Sequence, residues 1–156
     1  MLSIVTGTEA EALRRKAETV EDPTAPEIRT LASEMLSTMK AADGVGLAAP
    51  QVGRSLRLFI GEVNGKTHVF INPEIISRSE NTILFEEGCL SLPGQFVPVE
   101  RSEQVTVTYD DIHGKRQKLD ATGFLAILIQ HETDHLDGIL MTDRYETQTA
   151  KNAYAL

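Results

Sequence analysis

The chain has 156 residues, and 15 Lys and Arg stand against 23 Asp and Glu, for a net charge of −8. This length suits one domain with a proper core, so we predict a single domain over residues 1–156. The acidic balance argues against nonspecific binding to nucleic acid or to anionic membranes. No apolar run approaches the length of a membrane span.

The N-terminal residues contain no basic region followed by an apolar stretch, so we expect no secretory signal. Cys89 is the only cysteine, which excludes an internal disulfide. A lone cysteine in a reducing compartment is a ligand, a nucleophile or a small buried apolar residue. We therefore expect a cytoplasmic protein, with an organellar or viral-encoded one as alternatives.

The first third of the chain predicts helices over residues 9–17 and 24–40. Thr24 and Glu27 have the spacing of a capping box. Gly44 ends the second helix.

The middle of the chain predicts β-strands. Asn64-Gly65 is a strong two-residue hairpin signal between strands over 56–63 and 66–71. The remaining predicted strands are 74–78 paired with 82–86, followed by 104–109 and 116–119.

A last helix is predicted over 123–136, with Thr122 as its N-cap and Gly138 after its end. Residues 124–129 are apolar all round, which is typical of a helix buried on every side. We therefore predict an α+β fold in which antiparallel β-sheets surround this central helix, with a helix near the N-terminus.

The segment 131–135 reads HExxH. His131 and His135 lie on one helix face, where they can bind one metal ion, and Glu132 can act as the general base. A catalytic site of this kind has three protein ligands. We predict that the third is Cys89, which follows a predicted strand beside Gly88, because a thiolate is a strong soft ligand.

Other third or fourth ligands are weaker alternatives. Asp137, Asp143 and Glu146 follow the motif without supporting context. His68 and His113 are expected to be exposed residues without a role. If either completed a four-ligand site, the metal would be structural and not catalytic.

The glycine-rich segment 44–53 begins like the dinucleotide fingerprint GxGxxA. A helix precedes it and Pro50 interrupts it, so we reject that interpretation. Two others remain: a tight helix-to-strand connection, or a loop that brings backbone amides close to a ligand while Gln51 faces an oxyanion. Phe124 and Leu128 precede His131 at helical spacing and predict an apolar slot beside the metal.

Three segments, 44–51, 87–91 and 130–138, together resemble the three signature motifs of peptide deformylase. This resemblance implies an α+β enzyme that removes the formyl group from the N-terminal formyl-methionine of newly made proteins and releases formate. It implies one divalent metal ion, natively Fe(II), with zinc, nickel or cobalt as substitutes. It also implies nascent formyl-methionyl peptides as partners and proximity to the ribosome.

The resemblance also implies roles for individual residues. The implied metal ligands are Cys89, His131 and His135. Glu132 becomes the general acid and base, and Gln51 and the Leu90 amide bind the oxyanion. The peptide is held by Val45, Gly46 and Gly88, and its methionine by Phe124 and Leu128.

Two alternatives stay open: an HExxH metallopeptidase and a non-catalytic structural metal-binding protein. Glu87 and Asp134 are candidate partners for the ligand imidazoles, and Arg101 could pair with either, unless all three are ordinary surface charges. Phe96 stands where some relatives carry an arginine near the substrate, so we expect peptide contacts beyond the first residue to differ. Residues 147–156 are expected to form only a short polar tail, where many bacterial relatives extend into a helix.

Overall fold

Residues 1–153 are described by a computed structural model. The helices are α1 (Glu11–Arg14), α2 (Pro26–Ala41), α3 (Gly123–Leu136) and α4 (Met141–Ala153), with a 3₁₀ turn at Ala49–Val52. The strands are β1 (Gly46–Ala48), β2 (Leu58–Val63), β3 (Lys66–Arg78), β4 (Thr82–Cys89), β5 (Leu92–Ser102), β6 (Gln104–Asp110) and β7 (Arg116–Thr122).

Two antiparallel sheets pack against the HExxH helix. Five strands form one sheet in the order β1-β2-β3-β6-β7, and β4 and β5 form a separate hairpin. Helix α3 contacts strands of both sheets. The predicted α+β class with antiparallel sheets is therefore confirmed. None of the helices in residues 1–153 combines the length and the apolar character needed to cross a membrane.

The Asn64-Gly65 hairpin is confirmed: both residues have positive φ, 53° and 73°, as a type I′ turn requires. The predicted pairing of 74–78 with 82–86 is wrong. Strand β3 continues past an irregularity at Asn72-Pro73, and its second half pairs with β6. The side chain of Asn72 stabilises this point by exchanging two hydrogen bonds of 2.8 and 2.9 Å with the backbone of Val20.

Strand β4 pairs instead with β5, which was not predicted. Pro93, Gly94 and Pro98 make the β5 segment look like a loop, because proline cannot donate to a ladder. In a two-stranded hairpin each strand has a free edge, so these residues are tolerated there.

Helix starts differ from the predictions in detail. The first helix covers only Glu11–Arg14. The capping box before α2 does not form, because the Thr24 hydroxyl donates to Asp22 at 2.7 Å and the N-cap is Ala25. Thr122 does occupy the N-cap position of α3, but without a capping hydrogen bond from its side chain.

The predicted polar tail is wrong for residues 147–153, which belong to α4. This helix packs on β5, where Gln148 accepts from the backbone N–H of Glu100 at 2.8 Å and donates to its carbonyl at 3.0 Å. Residues 154–156 of the predicted tail lie outside the described residues.

Two glycines let α3 approach the sheet closely. Gly46 and Gly61 are partners across β1 and β2. A Cβ on Gly61 would lie 2.6 Å from the Leu128 side chain, and a Cβ on Gly46 would collide with the carboxylate of Glu132. The sheet backbone therefore forms one wall of the space beside the HExxH motif.

Candidate metal centre and active site

Cys89 and the two motif histidines converge. Helix α3 carries His131 and His135, while Cys89 ends β4. The three ligating atoms all lie within 4.8 Å of one another, and Sγ of Cys89 is 3.3 Å from Nε2 of His135. Burial lowers the pKa of His135 well below its usual value, so this imidazole is neutral. Burial also acts to lower the pKa of His131, but Cys89 and Glu87 outweigh it and raise that pKa well above its usual value, so His131 must give up a proton to bind an ion.

This group of donors fits a divalent transition metal. A thiolate with two imidazoles suits iron, zinc, nickel or cobalt. Within residues 1–153, neither His68 nor His113 joins the group, and the acidic residues after the motif do not join it either. Three protein ligands are the number that a catalytic zinc-type site uses, whereas a closed structural site needs four.

Glu87 orients the imidazole of His131. Nδ1 of His131 donates to Oε1 of Glu87 at 2.7 Å, which leaves Nε2 free for an ion. Arg101 grips the same carboxylate with Nε and Nη2, at 2.7 and 2.9 Å. Burial raises the pKa of Glu87, but the hydrogen bonds from Arg101 and His131 outweigh it and bring that pKa to about 2.

Asp134 extends this network away from the candidate metal ligands. Its carboxylate accepts from Nη1 of Arg101 at 2.6 Å, and from Nη2 and Nε of Arg144 at 2.7 and 3.0 Å. Arg101 was expected to pair with either acid, and it pairs with both; all three residues are buried and are not surface charges. The expectation that Asp134 contacts a motif imidazole is wrong: among the described residues its carboxylate binds only the two arginines. Arg144 was missed, because it lies on a helix that the sequence did not reveal.

The amide of Gln51 is held in one orientation. Its Oε1 accepts from the Ala48 N–H at 2.8 Å, so its Nε2 faces Ser91 Oγ at 3.1 Å and Cys89 Sγ at 3.5 Å. The glycine-rich segment is a helix-to-strand connection: β1 within it pairs with β2, and the 3₁₀ turn that follows directs Gln51 toward the Cys89 thiol. Ser91 was not singled out, although it lies within the segment 87–91.

Glu132 is buried beside the same space. Burial raises its pKa to about 7, even though His131 opposes the shift. Its Oε2 has no hydrogen-bond partner among the described residues. An acceptor that is buried without a partner costs free energy, which indicates a place where a solvent molecule or ligand binds.

A pocket of about 460 Å³ opens on this centre. It brings together all the residues that were predicted to bind substrate: Val45, Gly46, Gly88, Phe124 and Leu128. Gln51, Cys89, Leu90, His131 and Glu132 line it as well. Phe85 and Ile127, which were not predicted, add to its apolar wall.

The chain matches known proteins over nearly its whole length. A model of the family described as polypeptide deformylase matches residues 1–151. A peptide deformylase of Treponema pallidum is 46% identical over 138 residues, which are 86% of this chain and 85% of that protein.

Solved structures similar to this chain belong to the same family. The crystal structure of peptide deformylase from Thermotoga maritima has a TM-score of 0.89 at 40% identity, covering 92% of this chain and 97% of that one. A class I type b peptide deformylase from Acinetobacter baumannii, bound to Met-Ala-Ser, has a TM-score of 0.87 at 36% identity, with the same two coverages. The chain therefore belongs to the polypeptide deformylase family, and it is an enzyme of that metal-dependent class, which removes the N-formyl group from new proteins.

Proposed function

We propose that Cys89, His131 and His135 of this deformylase hold one divalent ion, and that Glu132 is the general acid and base. The observation that carries this proposal is the convergence of one thiol and two imidazoles within 4.8 Å. The buried carboxylate of Glu132 beside them, with an oxygen that lacks a partner among the described residues, supports it further.

The proposed native ion is Fe(II), and zinc, nickel or cobalt can replace it. When bound, such an ion supplies Lewis-acid chemistry and a nucleophile at neutral pH. Both Fe(II) and its thiolate ligand oxidise. We therefore expect protein purified without oxygen to contain iron and to lose activity in air, whereas a nickel-loaded sample keeps its activity longer.

Glu132 takes a proton from the attacking water and later gives one to the leaving amine. A carboxyl group whose pKa is about 7 can do both near neutral pH. Attack on the formyl carbon creates an oxyanion. We propose that the Gln51 side-chain amide and the Leu90 backbone N–H donate hydrogen bonds to it. The bonds from Ala48 and to Ser91 hold Gln51 in place before the substrate arrives.

We assign peptide binding to the backbone of Val45, Gly46 and Gly88. In the five-stranded sheet β1 is an edge strand, and an extended peptide can add to such an edge. The Acinetobacter relative binds the peptide Met-Ala-Ser, which supports a peptide as the ligand of this chain. Phe124 and Leu128 offer an apolar slot for the methionine side chain, which distinguishes it from similar residues by about 1–3 kcal/mol per methylene.

We also propose that the protein works in the cytoplasm, on nascent chains close to the ribosome. To test these assignments together, anaerobically prepared protein is incubated with formyl-Met-Ala, with Met-Ala and with a longer unformylated peptide. We expect formate and a new amine only from the first. Cleavage of an internal bond would indicate a metallopeptidase, and bound metal without turnover would indicate a structural site.

A further inference from the structure

The mouth of the active-site pocket carries an exposed aromatic side chain. Phe96 is 66% exposed and lines the pocket, although neither the catalytic nor the metal-binding assignment uses it. A large apolar side chain in water at the rim of a binding site is typical of a surface that a ligand covers. This inference rests on the proposed function, because it concerns which peptides the same site accepts.

The Phe96 ring lies against the Gly88 backbone, which is assigned to hold the peptide. Phe96 pairs with Gly88 across β4 and β5. A Cβ on Gly88 would lie 2.8 Å from Cε1 of Phe96, so the ring leans over the glycine backbone. Gly88 is one of the residues assigned to hold the peptide, and it adjoins the ligand Cys89.

The two faces of β4 separate Phe96 from the methionine slot. Phe85 and Glu87 point toward α3. The ring centroids of Phe85 and Phe124 are 5.7 Å apart, and Glu87 contacts His131. Side chains alternate along a strand, so Gly88 and its partner Phe96 belong to the opposite face.

An extended peptide obeys the same alternation. If its methionine enters the slot on the α3 side, its second side chain points to the opposite side, where Phe96 lies. We infer that Phe96 binds the side chain of the second residue, so that the enzyme prefers formyl-methionyl peptides whose second residue is large and apolar or aromatic. Aromatic pairs and apolar contacts both favour such side chains over small polar ones.

The test compares formyl-Met-Phe-Ser, formyl-Met-Leu-Ser, formyl-Met-Ser-Ser and formyl-Met-Ser-Phe as substrates of the metal-loaded enzyme. We expect kcat/KM for the first two to exceed that for formyl-Met-Ser-Ser by about 3- to 10-fold. The gain should lie in KM, because this contact is far from the reacting bond and is made equally before and during reaction. The products Met-Phe-Ser and Met-Ser-Ser should show the same order as competitive inhibitors.

Phe96→Ala should reduce the ratio to about 1, and Phe96→Tyr should keep it. Leu84→Ala is the matched control, since Leu84 shares the face of Gly88 on β4 and is 69% exposed but does not line the pocket. It should keep the parent ratio. Circular dichroism and metal content establish that each variant is folded, and at 66% exposure the Phe96 side chain contributes little to the core.

Two results would overturn the inference while leaving the proposed function intact. One is equal kcat/KM for all peptides, or a preference that Phe96→Ala retains. The other is a preference for formyl-Met-Ser-Phe, which would place the contact at the third residue. Absence of formate from every peptide would instead defeat the proposed function.

Discussion

Oε1 of Glu87 lies 2.7 Å from Nδ1 of His131, although the two residues are 44 positions apart. The same oxygen accepts from Arg101, which also binds Asp134, and Asp134 binds Arg144. A largely buried chain of charges thus joins the imidazole of His131, a candidate metal ligand, to α4. The orientation of His131 depends on pairs that stabilise each other, because none of the buried charges could remain unpaired at low cost.

The first prediction concerns Glu132. Glu132→Ala should keep the bound metal, since Glu132 is not one of the proposed ligands, and should lower kcat by about 10²–10⁴ because proton transfer is lost. Metal analysis together with formate release from formyl-Met-Ala measures both. A variant with metal bound and near-normal turnover would show that another group moves the proton.

Gln51→Ala should lower kcat by about 10²–10³, the usual cost of losing one oxyanion donor. Ser91→Ala should cost less, because it removes only a partner that positions the Gln51 amide at 3.1 Å. Steady-state kinetics on formyl-Met-Ala give both values. A Ser91→Ala loss equal to or above that of Gln51→Ala would contradict the assigned order of roles.

A pH prediction follows from Glu87. Its pKa is about 2 in the folded protein against an ordinary 4.5, so it stabilises the fold above about pH 4.5 and this contribution disappears as the pH falls toward 2. Its size is on the order of 3 kcal/mol. Urea unfolding of metal-free protein should show Glu87→Gln as less stable at pH 7, with the gap to the parent narrowing below about pH 4.5. A gap that stays constant down to pH 2 would contradict the pairing.

Gly46→Ala and Gly61→Ala should separate catalysis from binding. The new methyl group of Gly46→Ala would displace the Glu132 carboxylate, and a 1 Å displacement of a catalytic group costs about 10²-fold in rate. Gly61→Ala would press on the Leu128 side chain at 2.6 Å and narrow the methionine slot, so KM should rise with kcat largely kept. Equal effects of the two variants on kcat would refute this distinction.

Arg144→Ala should destabilise the protein by about 1 kcal/mol, because Asp134 loses two hydrogen bonds but keeps Arg101. The Arg144 side chain is 40% exposed, which reduces the cost. Arg116→Ala removes a comparably exposed pair with Asp110 at 3.3 Å and serves as the control. It should cost less than about 0.5 kcal/mol in urea unfolding. An equal cost for the two variants would show that the network does not extend to α4.

Local patterns predicted several parts of the fold correctly. The apolar run 124–129 and the flanking Gly138 indicated α3, and Asn64-Gly65 indicated the hairpin, because each signal lies within a few residues of the element it defines. Strand β5 and helix α4 were not predicted, because no signal within their own residues marks them. The first contains two prolines and a glycine, and the second shows a polar sequence whose stability comes from packing on β5.

The sequence by itself determined that His131 and His135 share a helix face with Glu132 between them, since the spacing of a helix requires it. It also indicated Cys89 as a third ligand, because a lone thiol follows a predicted strand there, and Gln51 as an amide donor in a loop of small residues. The tertiary structure alone decided that Arg101 is shared between Glu87 and Asp134, that Arg144 joins them, and that Phe96 leans over Gly88. Such contacts join residues far apart in the chain, and they depend on strand register and packing, which no local pattern encodes.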